Sequence, residues 1–81
     1  MARISAKLDS DNDLVRLGAV VRVRRLTLAL SQEALADLAG IDRSHMGKLE
    51  RGERNVSLLN IVRIAKAIRC KPSDLLIDAG L

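Results

Sequence analysis

Arg43, Ser44, Gly47 and Lys48 have the types and spacing to read a nucleic-acid edge. On a wheel of about 100° per residue they share one arc, while Met46 and Leu49 share another with Ile41. Arg43 and Lys48 can donate to guanine O6 and N7, a contact worth about 1–3 kcal/mol of discrimination. Ser44 can donate or accept, and Gly47 would let the helix approach a groove closely. A solvated helix face has a similar composition, so these four residues alone leave that alternative open. Other chemistries find no partners. His45 is the single histidine and Cys70 the single cysteine, and no plausible carboxylate pair accompanies them. No catalytic set, metal site or cofactor is therefore expected.

The elements that position this arc are helical. Ser31 is an N-cap candidate with Glu33 in the first turn, so a helix is predicted over about Gln32–Ala39. Leu35 and Ala39 should face inward, and Ala36 is small enough for a close neighbour. Gly40 should end that helix in the left-handed conformation, and Asp42 should cap the next, Arg43 to about Glu50. A helix, a short glycine turn and a second helix form the helix-turn-helix pattern.

Upstream, Leu14, Leu17, Val21 and Leu28 form one apolar stripe, predicting a helix over Leu14–Leu28 that Ser10 or Asp11 would cap. Gly18 inside it costs up to about 1 kcal/mol relative to alanine, which points to a close approach by another element. Residues 1–13 are expected to be a loose arm and helix start, with Arg3 and Lys7 as its basic groups. Downstream, Ser57 should cap a helix from Leu58 to about Ile68, with Leu58, Ile61, Val62, Ala65 and Ile68 inward. Pro72 suits the first position of a short last helix, Pro72–Ile77, stopped by Gly80, with 78–81 as a tail.

The chain has 81 residues, room for one domain, and lacks aromatic residues, so its core must come from Leu, Ile, Val, Ala and Met. Its net charge of +4 is uneven: residues 16–71 hold 12 Lys/Arg against 5 Asp/Glu, while both ends are slightly acidic. A basic helical body suits a nucleic-acid partner. The missing aromatics argue against stacking on splayed RNA bases. A single cysteine rules out an intrachain disulfide and fits a reducing compartment. No apolar run approaches the roughly 20 residues of a membrane span, and Met1–Ser10 lacks an apolar signal core. A cytoplasmic location without a membrane partner is the expectation.

Leu17-Gly18, Val21-Arg22, Arg25, Leu30-Ser31-Gln32-Glu33-Ala34-Leu35-Ala36, Ala39-Gly40-Ile41, Met46 through Gly52, Leu58, Ile61, Ala65 through Ile68, and Pro72 through Leu76 occur in one order and spacing. Together they resemble the phage repressor/Cro-type, XRE-like helix-turn-helix domain over about Leu14 to Leu76. The joined signals Ser-Gln-Glu-x-Leu-Ala, Ala-Gly and Leu-Glu-x-Gly are far more specific than any one alone. The run Glu50 through Leu58 also resembles controller proteins of restriction–modification systems.

The resemblance implies an all-α, five-helix, lambda-repressor-like fold that binds double-stranded DNA and regulates transcription. It implies that Gln32 touches phosphate and braces the first recognition residue. Arg43, Ser44, Gly47 and Lys48 match base-facing positions, and His45 a backbone-contacting one. Arg51, Arg54 and Asn55 match the loop that meets phosphates, which position the protein without reading sequence. Arg25 and Glu50 match an ion pair tying the first helix to the recognition helix.

The departures from the family pattern are Ala29 and Arg69, where glycine is usual, Cys70 at a small apolar position, and Lys71 in place of a capping Ser or Thr. Cys70 is expected to be a buried, inert thiol. The apolar residues Leu75, Leu76, Ile77 and Leu81 are expected to form a homodimer interface, with each subunit's third helix in a major groove of a pseudo-palindromic operator. The alternative is an antitoxin-type regulator whose main partner is a toxin, although no clear extra segment for wrapping one is evident. No small-molecule ligand is implied.

Overall fold

The computed structural model describes residues 8–81, with Arg3 and Lys7 outside them. The described residues form five helices and no strand: α1 (Asp13–Thr27), α2 (Gln32–Ala39), α3 (Arg43–Glu50), α4 (Leu58–Ala67) and α5 (Pro72–Asp78). α3 is braced by α1 and α2, while α5 packs on α1 and α4. Val21, Leu35, Met46, Ile64 and Leu75 are the largest fully buried side chains, so all five helices reach one core.

The caps follow local chemistry. Ser31 Oγ accepts from the Ala34 N–H at 3.0 Å, and Ser57 Oγ accepts from the Asn60 N–H at 3.1 Å. The cap of α1 differs from the expectation at Ser10 or Asp11. Asp9 supplies it instead: its two carboxylate oxygens accept from the Asp13 and Leu14 N–H groups at 2.9 and 2.8 Å. Asn12 at the N-cap is left-handed and its side chain makes no capping bond. Lys71 offers no hydroxyl to α5, and Asp74 reaches back to accept from the Lys71 N–H at 2.9 Å.

Every helix end uses the same closure, in which a left-handed residue lets the following N–H reach a carbonyl five residues back. Gly40 does so after α2, with Ile41 N–H to Ala36 O at 2.9 Å. Ala29 and Arg69 do the same at φ 57° and 59°, with Leu30 N–H to Arg25 O and Cys70 N–H to Ala65 O. The two departures therefore keep the glycine geometry and absorb its steric penalty. Ala29→Gly should raise stability by about 0.5–1 kcal/mol, and a thermal melt should show a midpoint a few degrees higher.

Three core expectations are corrected. Leu58 is 73% exposed and Ile64 is buried in its stead. The inward arc of α4 centres on Ile61, Ile64 and Ile68, and Leu58 lies at its margin on the first turn. Leu28 is exposed because α1 ends at Thr27 and the chain turns there. Leu75 packs in the core, so it is unavailable to a second subunit; Leu76 is half-buried, and Ile77 and Leu81 are exposed. In the expected tail, residues 78–81, Asp78 completes α5, Ala79 is buried and Leu81 N–H bonds Leu76 O at 2.8 Å. Cys70 is only half-buried, and its partial desolvation pushes the thiol pKa up, which disfavours the reactive thiolate.

Candidate nucleic-acid interface

α3 is held from behind by apolar contacts and by one buried charge pair. Met46 and Leu49 are buried with Ile41, as their arc predicts. At the end of the helix Glu50 meets Arg25 of α1. Arg25 Nε donates to Glu50 Oε2 at 2.7 Å and Nη2 donates to Oε1 at 3.0 Å. The third edge of the guanidinium, through Nη1, donates to the Leu30 carbonyl at 2.9 Å. Gln32 Nε2 adds a bond to Glu50 Oε1 at 3.0 Å. One arginine thus joins α1, the turn before α2 and the end of α3, with every charged edge partnered. In the absence of DNA the Gln32 side chain thus braces Glu50.

The crossing of α1 and α3 is very close. A Cβ on Gly18 would stand 2.4 Å from Leu49 O and 2.5 Å from Glu50 O. A Cβ on Gly52 would stand 2.6 Å from Val15 Cα. These two glycines let the C-terminal end of α3 rest on the backbone of α1.

The outward arc carries Arg43, Ser44 and Lys48. Arg43 is exposed and 3.7 Å from Glu33, a loose solvated pair of little energetic weight. Asp42 takes the N-cap position of α3, but its side chain makes no capping bond and accepts instead from the Ser44 hydroxyl. That bond holds the Asp42 carboxyl below its usual range. The Ser44 donor is therefore engaged in the free protein and must leave Asp42 to serve another acceptor, while its oxygen stays able to accept. His45 and Lys48 are half-buried. Arg54 and Asn55 are exposed in the segment between α3 and α4.

Gly47, expected to let the helix approach a groove closely, is not open space on the arc. It is buried, because Arg51 Nη1 lies 3.2 Å and Gln32 Oε1 3.5 Å from the position its Cβ would take. Arg51 is the C-cap of α3 and Glu53 accepts from its Nε. That hydrogen bond lowers the Glu53 carboxyl pKa, with the charges of Arg51, Lys48 and Arg54 adding to it. Sequence reasoning missed the Glu33 and Glu53 partners, and also Asp78 of α5, which Arg24 of α1 holds at 2.7 and 3.1 Å. The Arg24 guanidinium pKa is raised by that bond. Only Arg51 and Glu53 carried a local signal, two residues apart across the Gly52 turn. Among the described residues no group of three or more His, Cys, Asp or Glu side chains could hold a metal ion. None of the described helices is long and apolar enough to cross a membrane.

Two adjacent helices joined at Gly40, the second with a polar outer arc, match a family model described as Helix-turn-helix over residues 21–75. The chain belongs to the helix-turn-helix family. Its relatives include Control protein C.SmaI of Serratia marcescens, 43% identical over 61 residues, which span 75% of this chain and 73% of that protein. Control protein C.BamHI of Bacillus amyloliquefaciens is 43% identical over 68 residues, covering 83% and 84% of the two chains. The fold matches the crystal structure of the restriction-modification controller protein C.AhdI from Aeromonas hydrophila at a TM-score of 0.77 and 51% identity. That match covers 78% of this chain and 96% of the other. This helix-turn-helix protein is a DNA-binding transcriptional regulator and not an enzyme.

Proposed function

We propose that this helix-turn-helix protein works as a cytoplasmic homodimer on a pseudo-palindromic operator and controls restriction–modification genes; its relatives C.SmaI and C.BamHI are named control proteins and C.AhdI a restriction-modification controller protein. Each subunit lays α3 in a major groove, with half-sites about one helical turn apart. One observation carries this reading: α3 is clamped at its far end by the Arg25–Glu50 pair while Arg43 and Lys48 remain on its outer arc. A rigid helix presenting donors can read base edges without first becoming ordered. Exposed Ile77 and Leu81, with half-buried Leu76, supply the apolar surface for the second subunit. Ser44 and Lys48 assist Arg43 in base contact. Gln32, His45, Arg54 and Asn55 flank the arc on the phosphate side. The relatives favour this regulator over the antitoxin alternative.

Sedimentation at micromolar concentration is expected to show a dimer, and a purely monomeric protein would remove the operator geometry. Arg43→Ala should weaken cognate binding roughly 5- to 150-fold and relax preference at one base pair per half-site. Arg54→Ala should weaken binding to all sequences alike and lower the salt slope by about one. Fluorescence anisotropy on operator and scrambled DNA at several salt concentrations separates the two. Equal losses on both DNAs for both variants would defeat the division between reading and anchoring residues.

A further inference from the structure

We propose that Arg51 reads a guanine edge, projecting over Gly47 and oriented by Glu53. This rests on α3 lying in the major groove, as proposed above, and it changes the role of Arg51 from phosphate anchor to specificity determinant.

Arg51 follows Gly47 by four residues, so the two share a helix face. Its guanidinium folds back along α3 onto the reading arc: Nη1 is 3.2 Å and Cζ 4.0 Å from where a Gly47 Cβ would be. A side chain at position 47 would compete for that space. Arg51 thus supplies a reading group at a position that has none of its own.

The direction of the guanidinium decides between base and phosphate. Glu53 holds the Nε edge, with its two oxygens at 3.1 and 2.9 Å. The hydrogen bonds among the described residues leave Nη1 and Nη2 without an acceptor. That pair forms the fork that matches guanine O6 and N7. A phosphate at the same place would lie beside the Glu53 carboxylate, where like charges repel. A guanine edge carries no net charge and meets no such penalty. The Arg51–Glu53 pair is exposed and adds little stability. Its effect is to restrict the rotamers of a long side chain before DNA arrives.

The test compares the wild-type protein with Arg51→Ala, Arg51→Lys, Glu53→Gln and Arg43→Ala in selection from a randomised duplex library. Arg51→Ala is expected to lose a guanine preference of roughly 5- to 150-fold at one base pair per half-site, distinct from the position lost in Arg43→Ala. Arg51→Lys keeps the charge but lacks the fork, so it should lose most of that preference while retaining affinity for random DNA. Glu53→Gln should weaken the preference at the same base pair without lowering affinity for random DNA. An Arg51→Ala profile that keeps every preference, with a uniform loss of affinity and a salt slope lower by about one, would overturn the proposal in favour of a phosphate contact. An unchanged Glu53→Gln profile would overturn the orienting role. If Arg43→Ala alters its base pair and Arg51→Ala alters none, α3 in the groove stands and this inference falls. If neither alters any preference, the groove placement itself fails.

Discussion

Glu50→Ala is expected to destabilise the protein by about 3–5 kcal/mol, because it strands the buried Arg25 guanidinium. The side chains of Arg25 and Glu50 are 8% and 2% exposed, so water cannot replace the lost carboxylate without opening the structure. The same substitution removes the acceptor of Gln32 and the tether on the end of α3. A loss of that size is a large part of the 5–15 kcal/mol that ordinarily holds a domain together. Urea denaturation at fixed protein concentration measures it. The double variant Arg25→Met/Glu50→Leu should recover much of the loss, since replacing both members of a buried pair by apolar side chains is often close to neutral. A Glu50→Ala loss below about 1 kcal/mol would show that the pair is solvated in solution and does not clamp α3.

Gly18→Ala is the second large effect. In most helix interiors this change stabilises by up to about 1 kcal/mol. Here the new methyl would meet the main-chain oxygens of Leu49 and Glu50 at 2.4 and 2.5 Å, and neither can move without moving α3. Overpacking of this kind costs about 1–3 kcal/mol, and more when backbone must shift. The expected outcome is a net loss of about 2 kcal/mol or more in thermal or urea unfolding. Operator affinity measured well below the melting temperature should also fall, because α3 carries Arg43 and Lys48 with it when displaced. A neutral or stabilising Gly18→Ala would contradict the close crossing of α1 and α3.

The helix pattern was legible where the signal is local. Ser31, Gly40, Ser57 and Pro72 mark ends through their own side chain or backbone preference, and the helices start or stop beside them. The apolar wheel of α3 likewise placed Met46 and Leu49 inside. Arg25 and Glu50 are 25 residues apart, and no spacing rule pairs them; the family resemblance alone pointed to that pair. Helical spacing places Leu58 inward and the apolar C-terminal cluster places Leu75 on an interface, yet Leu58 is exposed and Leu75 buried. That difference depends on where the neighbouring helices end, which neither side chain encodes. The cover over Gly47 was also hidden, since a residue without a side chain gives no hint of what fills its place. Asp9 rather than Ser10 caps α1 because the left-handed Asn12 turns the chain so that a carboxylate three residues before it reaches the free N–H groups.

The most direct test is selection of bound duplexes from a fully randomised library by the wild-type protein. Two α3 helices in successive major grooves predict an enriched inverted repeat whose half-site centres lie about 10–10.5 base pairs apart. Enrichment of an unpaired site, of direct repeats, or of no sequence at all would contradict a dimer reading DNA through α3.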